Sequence, residues 1–299
     1  MTSKKIIVKS PATAANLGSG FDCLAIALDI FNTVSVEIGE QNIQISGEGE
    51  NELPNDETNL IYRMIKLVMD KWGYDIPRLT ITCDNKIPIS RGLGSSSSAI
   101  ISGLLIGNEL SGRQLVMKEL LDLGSEVEGH SDNIAATLYG GFQIVVQDKK
   151  LNSNVVIPKD LTAVLYIPKE RISTDEARSV LPDSLGYSDV IYNLGRVALL
   201  INAFNSGNLN DLKIATEDKL HQKYRQTIFP SMRLIIDSAI NAGAYGAFLS
   251  GSGSTIFALC KGKEMTIAYE MLDAASKVGI LGDTLVTKPS LIGSTIDIL

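Results

Sequence analysis

Ile87-Pro88-Ile89-Ser90-Arg91-Gly92-Leu93-Gly94-Ser95-Ser96-Ser97-Ser98 is the stretch on which the reading of this chain turns. Ile87 and Ile89 lead into it, and Ala99, Ile100, Ile101, Leu104 and Leu105 follow at helical spacing. A glycine-rich turn held between apolar segments is an anchored loop rather than a flexible linker. The spacing predicts a helix over residues 97–110, and the first turn of a helix leaves backbone N–H groups without partners. Glycine lets the backbone approach a ligand closely, and a helix N-terminus carries partial positive charge. Loop and helix start together make an anion site suited to phosphate, with serine hydroxyls as further donors or as magnesium ligands. The plainer reading of the same residues is a helix cap.

Two more segments share this glycine- and serine-rich character: residues 10–22 (SPATAANLGSGFD) and residues 243–255 (GAYGAFLSGSGST). The pattern around them is mixed α and β. Short runs rich in branched residues predict strands at 6–9, 34–38, 43–46, 79–83, 142–146, 163–167, 255–260 and 284–287. A helix is expected from Leu60 onward, capped by Thr58 or Asn59, carrying the stripe Leu60, Ile61, Met64, Ile65, Leu67 and Val68, and ended by Gly73. Further helices are expected over 115–125, 190–204, 232–242 and 263–278. Residues 157–162, with Pro158 after a strand, are the best boundary. They divide the chain into 1–157, a nucleotide-binding domain, and 158–299, a second domain.

The composition narrows the field. With 299 residues, 44% hydrophobic and 20% charged, the chain buries an ordinary core and is not disordered. The richest apolar run, residues 100–106, is far shorter than the roughly 20 residues that span a bilayer. No basic region followed by an apolar run opens the chain, so no secretory signal is expected. Net charge is 27 − 34 = −7 without a long basic run, which disfavours a nucleic-acid partner. Cys23, Cys83 and Cys260 share no CxxC spacing, which argues against a disulfide framework or a zinc site and fits a reducing cytoplasm. Two histidines, His130 and His221, leave little material for a His-rich metal site; His130 reads as a packing or hydrogen-bonding residue rather than a base. The spelling excludes a Walker loop, since no GxxxxGK[ST] occurs, and a nucleophile elbow, since no GxSxG occurs. Gly18-Ser19-Gly20 and Gly251-Ser252-Gly253 each lack the third glycine of a dinucleotide fingerprint.

Residues 87–98 resemble the ATP-binding signature of the GHMP kinases, a superfamily of small-molecule kinases. The segments at 10–22 and 243–255 fall where that superfamily has its first and third motifs. Within it the spelling is most similar to the homoserine kinase family. Residues 10–22 resemble its SPATSANLGPGFD, and Glu128-Gly129-His130-Ser131-Asp132-Asn133 resembles its EGHPDN. Residues 173–178 (STDEAR) with Leu181-Pro182 resemble its STxxAR…LP, and His221 through Arg225 fits its H-x-x-x-R. Departures are Ala14 at a usual serine, Ser19 and Ser131 at usual prolines, and Ser97 and Ser98 where alanines are common.

The resemblance implies a two-domain α+β fold, with an N-terminal α/β domain like ribosomal protein S5 and a C-terminal ferredoxin-like α/β sandwich. It implies ATP-dependent phosphorylation of L-homoserine on the route to threonine, in the cytoplasm, with no nucleic acid or membrane partner and compatibly with a homodimer. A mevalonate- or sugar-type kinase, or a non-catalytic ligand-binding relative, is the alternative. Pro88, Ile89, Ser90, Arg91, Gly92, Leu93, Gly94, Ser95, Ser96, Ser97 and Ser98 would then bind ATP. Glu128 and Ser96 would hold Mg2+, with Glu126 as the competing ligand. Asn133 would contact the acceptor hydroxyl, and Asp132 beside it is the candidate general base. Arg178 and Arg225 suit an α-carboxylate, because guanidinium forks pair with carboxylates, while Asp22 with Asn16 suits an α-ammonium. The third segment would close over the site from the second domain.

Overall fold

A computed structural model describes residues 5–299. The opening residues 1–4, and with them part of the expectation about a leader, lie outside the described residues. The first lobe contains β1 (Lys5–Ala15), β2 (Leu24–Ile38), β3 (Asn42–Gly47), α1 (Leu60–Lys71), β4 (Leu79–Asn85) and α2 (Ser95–Ser111). α3 (Met117–Glu128), α4 (Asp132–Tyr139), β5 (Phe142–Val146) and β6 (Leu151–Val155) complete it. The second lobe begins with β7 (Thr162–Pro168), α5 (Thr174–Ser179), α6 (Tyr187–Ser206), α7 (Leu212–Ala215) and α8 (Gln222–Arg225). It continues through α9 (Met232–Ala242), β8 (Gly246–Leu249), β9 (Ile256–Cys260), α10 (Glu264–Lys277) and β10 (Gly282–Thr287). The last strand, β11 (Thr295–Ile298), crosses back and pairs antiparallel with β1.

The architecture is α+β with two open sheets. The larger runs β11-β1-β2-β4-β3, with β5 and β6 attached through β2; among the described residues only the β3–β4 pair is parallel. The smaller is antiparallel, in the order β10-β7-β9-β8. β1 alternates between half-buried and buried over Lys5–Val8, then is buried at every residue from Ser10. That change records a second covering layer. Ile6 and Val8 pack with Val34 and Val36 under α1, α2 and α3. Further along, Ala12, Ala14, Leu24, Ile26 and Leu28 join Leu165, Phe204, Phe248 and Phe257 from the second lobe in one core. Alanines at 12, 14, 15, 25 and 27 allow that double coverage, since larger side chains would overfill it.

Helix α2 carries no charge before Glu109 and buries Ile100, Ile101, Leu104, Leu105 and Ile106. Each such side chain contributes about 1.5–3 kcal/mol over leaving it in water. α1 begins as expected: Asn59 Oδ1 accepts from the Ile61 amide, and the chain turns out at Gly73. Seven elements, β6, β8, β11, α4, α5, α7 and α8, escape the sequence pattern, as do the later part of β1 and the first ten residues of β2. The segment at 10–15 reads as a loop but is strand, because its small residues pair with Ala25, Ile26, Ala27 and Leu28. β8 is four residues inside a glycine-rich run, β11 is ordered by pairing with β1 and by Ile296 packing on the first core, and α4 follows directly on a motif. Among the described residues no helix is long and apolar enough to cross a membrane.

Candidate active site

The loop of residues 90–94 turns through positive φ at Ser90, Gly92 and Gly94, and delivers the chain into α2 with no side-chain cap. The amides of the first turn are therefore open to a ligand. The two glycines do more than permit the turn. A Cβ on Gly92 would overlap the Ser250 carbonyl oxygen, and one on Gly94 would overlap Thr13 Oγ1. The loop is pressed between β1 and the third glycine-rich segment. Ser250 Oγ donates to Gly92 O at 2.7 Å, and the Thr255 amide to Arg91 O at 3.2 Å. Arg91 turns its guanidinium away from the loop's open side, onto the carbonyls of Ile89, Pro168 and Lys169. Ser98 is buried with Oγ on the Ser10 carbonyl at 3.3 Å.

α3 ends at Glu128, directly across from the start of α2. Ser96 Oγ and Ser97 Oγ both donate to Glu128 Oε1, at 2.6 and 3.0 Å. Glu126 lies two residues earlier and points elsewhere, accepting from Lys150 Nζ at 2.9 Å. α4 then starts at Asp132. This carboxylate is 2% exposed, and its Oδ1 receives both His130 Nδ1, at 2.9 Å, and the Asn133 amide, at 2.8 Å. Burial pushes the His130 pKa down, but the bond to Asp132 and the charges of Asp132 and Glu128 outweigh it and hold it above 6.5. Thr13 Oγ1 donates to Asn133 Oδ1 at 2.7 Å, which leaves the Asn133 amide nitrogen free of that contact.

The far end is ionic. Arg178, from α5, meets Asp22 through both terminal nitrogens, at 3.1 and 2.9 Å. Asn16 Oδ1 accepts from the Asp22 amide, and its Nδ2 donates to Gly251 O. The two residues expected to hold opposite ends of an amino acid thus lie against each other. A zwitterion carries both charges on one carbon, so adjacent counter-charges match it. Arg225 is 2% exposed; burial, then the nearby Arg178 charge, pushes its pKa down to about 10, leaving it a cation at neutral pH. His221 is fully buried, its ring stacked on Phe21 at 5.1 Å.

Burial, with the Arg225 charge, pushes His221 down to about 4 against the pull of Asp218. The unfolded chain protonates this residue near 6.5 and the folded protein resists until about 4, so stability is full above 6.5 and is lost as pH falls through that window. The thermal midpoint is expected to drop between pH 6.5 and 4, less steeply in His221→Asn. Parallel pH profiles for the two proteins would remove His221 from this role.

A cleft of about 510 Å3 joins these groups. Asn16, Asp22, Arg178 and Arg225 line one end, Gly92–Ser96 with Glu128, His130, Asp132 and Asn133 the middle. The other end is apolar, built from Val34, Ile45, Leu53, Pro54, Ile61 and Cys83, with Asn59 and Arg63 at its polar edge. Sequence reasoning missed this end because its residues come from four separate elements. It also missed Thr13, which has no titratable group, and it left His221 without a role although the i, i+4 spacing to Arg225 puts both on one turn.

Residues 59–141 match the GHMP kinases N terminal domain and residues 193–282 the GHMP kinases C terminal domain. The chain is 41% identical over 263 residues to a homoserine kinase of Caldanaerobacter subterraneus subsp. tengcongensis, covering 87% of this chain and 84% of that one. It is 37% identical over 277 residues to a homoserine kinase of Desulfitobacterium hafniense, covering 91% and 93%. Among solved structures, the homoserine kinase of Cytophaga hutchinsonii superimposes with a TM-score of 0.86 at 28% identity, over 98% of this chain and 97% of that one.

Proposed function

This chain belongs to the GHMP kinases, in their homoserine kinase branch, and from that membership we propose that it transfers the γ-phosphoryl group of ATP to the side-chain hydroxyl of L-homoserine. The observation that carries the reading is the placing of an Asp22–Arg178 pair and Arg225 at one end of the cleft whose middle is the glycine loop. The product is O-phospho-L-homoserine, on the route to threonine, and the reading places the enzyme in the cytoplasm, compatibly with a homodimer. The division into 1–157 and 158–299 stays part of it, with β11 returning to the first sheet.

Phosphoryl transfer asks for positioning and charge neutralisation more than covalent chemistry. Residues 88–98 supply the phosphate cradle through the open amides of the loop and of α2, and the apolar end of the cleft suits a purine ring. Glu128 and Ser96 fit Mg2+: both offer hard oxygen atoms, they lie 2.6 Å apart at the phosphate site, and magnesium commonly takes one or two protein ligands and completes its shell with phosphate and water. When bound, the ion neutralises charge on the phosphate oxygens. Asn133 has its oxygen committed to Thr13, so its amide nitrogen donates to the acceptor hydroxyl. Asp132, with one oxygen on His130 and the Asn133 amide, is the neighbouring carboxylate that takes the hydroxyl proton. Arg178 and Arg225 hold the α-carboxylate, while Asp22 with Asn16 holds the α-ammonium.

A panel of acceptors incubated with ATP, read by ADP release, tests this assignment. Homoserine should exceed mevalonate and galactose in kcat/KM by on the order of a hundredfold or more, since neither alternative carries an ammonium for Asp22. Mevalonate turned over as well as homoserine would overturn the substrate; no acceptor-dependent ADP release would favour a ligand-binding relative.

A further inference from the structure

Arg225 and His221 sit one helical turn apart, the Arg225 amide bonding back to the His221 carbonyl. A guanidinium has five N–H donors in a rigid plane and no acceptor. Three of the five are spent on described residues. Nε donates to the Ala177 carbonyl at 3.2 Å, and Nη1 donates to Gly251 O at 2.7 Å and to His221 Nδ1 at 3.1 Å. Holding Nε and Nη1 sets the plane, and with it the direction of the two donors left on Nη2. Arg225 lines the cleft despite being 2% exposed.

The histidine is held from both sides. Arginine can only donate, so Nδ1 must accept. Nε2 lies 2.8 Å from the Gly18 carbonyl, which can only accept, so Nε2 must carry the hydrogen. One neutral tautomer satisfies both. Phe21 stacks on the ring at 5.1 Å with an interplanar angle of 23°, and Asp218 receives the amides of Leu220, His221 and Gln222 at the start of the turn. Gly18 and Phe21 belong to the first glycine-rich segment, which also supplies Asn16 and Asp22 to the cleft.

We propose that His221 is a positioning residue for the acceptor substrate: its imidazole spans from the Gly18 carbonyl to Arg225 Nη1 and so aims the remaining Nη2 donors at the substrate's α-carboxylate. This rests on the reading of the site as one for homoserine. A histidine that merely fills space would be replaceable by any side chain of similar volume. A positioning histidine is replaceable only where the acceptor facing Arg225 is kept.

Two substitutions separate these roles. His221→Asn places an amide oxygen near the position of Nδ1, keeping the acceptor for Arg225 and giving up the bond to Gly18. His221→Gln places an amide N–H near Nε2, keeping Gly18 and giving up the acceptor. Homoserine KM is expected to rise about tenfold or more in His221→Gln and by only a few-fold in His221→Asn, with ATP KM within about twofold of wild type in both. Arg225→Ala is the reference and should raise homoserine KM by about thirtyfold or more. Because His221 acts through Arg225, the double variant His221→Gln/Arg225→Ala should be no worse than Arg225→Ala alone.

If Arg225→Ala leaves homoserine KM unchanged, the substrate reading itself falls. If it raises KM while His221→Gln does not, or if the two effects multiply, only the positioning role falls. A measurement on the wild-type enzyme covers the case in which His221→Gln does not fold. The chain has only two histidines. Nitrogen-15 imidazole spectra should therefore show one of them as the Nε2–H tautomer, with Nδ1 unprotonated across neutral pH and shifted on adding homoserine. A His221 that is charged or protonated at Nδ1 overturns the inference.

Discussion

Glu128→Gln is expected to lower kcat by about two orders of magnitude while homoserine KM changes by less than about threefold. The substitution keeps the shape of the side chain and an oxygen that Ser96 and Ser97 can donate to, so the helix junction should hold. What it removes is a full negative charge at the phosphate site. That charge would hold magnesium, whose stabilisation is greatest when charge builds on the transferring phosphoryl group. An interaction realised chiefly in the transition state appears in kcat rather than in KM. The magnesium concentration needed for half-maximal rate should rise by about tenfold or more. Wild-type kcat and unchanged magnesium dependence in a folded variant would remove Glu128 from this role. Glu126→Gln is the matched control, since its carboxylate pairs with Lys150 outside the cleft, and it should change neither quantity.

Gly94→Val is expected to be nearly as damaging, by a different route. Its Cβ would overlap Thr13 Oγ1 and approach the Thr13 amide at 3.3 Å, and its φ of +69° is one that a β-branched residue strongly resists. Strain and overpacking cost about 1–3 kcal/mol each, so the thermal midpoint should fall by several degrees or more. Nucleotide affinity, measured by calorimetric titration, should drop by at least tenfold, because the loop cannot keep its amides where α2 begins. A loss of kcat should accompany it, since the displaced Thr13 hydroxyl is the group that orients Asn133. A folded variant with wild-type nucleotide affinity would show that phosphate lies elsewhere.

What the sequence by itself determined was local. Glycines at 92 and 94 before a helix without charge until Glu109 required a loop with positive φ and open amides, and Asn59 with Gly73 bounded α1. These features depend on steric limits and spacing within a few residues, which are written directly in the chain. Motif spelling added the family, and with it the cast of charged residues around a cleft. The tertiary structure alone decided which of them meet. It put Asp22 on Arg178 across 156 positions and Thr13 on Asn133 across 120, sent Glu126 to Lys150 and Glu128 to the serines, and turned Arg91 onto carbonyls of the second lobe. It also brought β11 home to β1 and assembled the apolar end of the cleft. Such contacts arise because two sheets share one buried core, so the partner of each polar group is set by which strands and helices that core brings together.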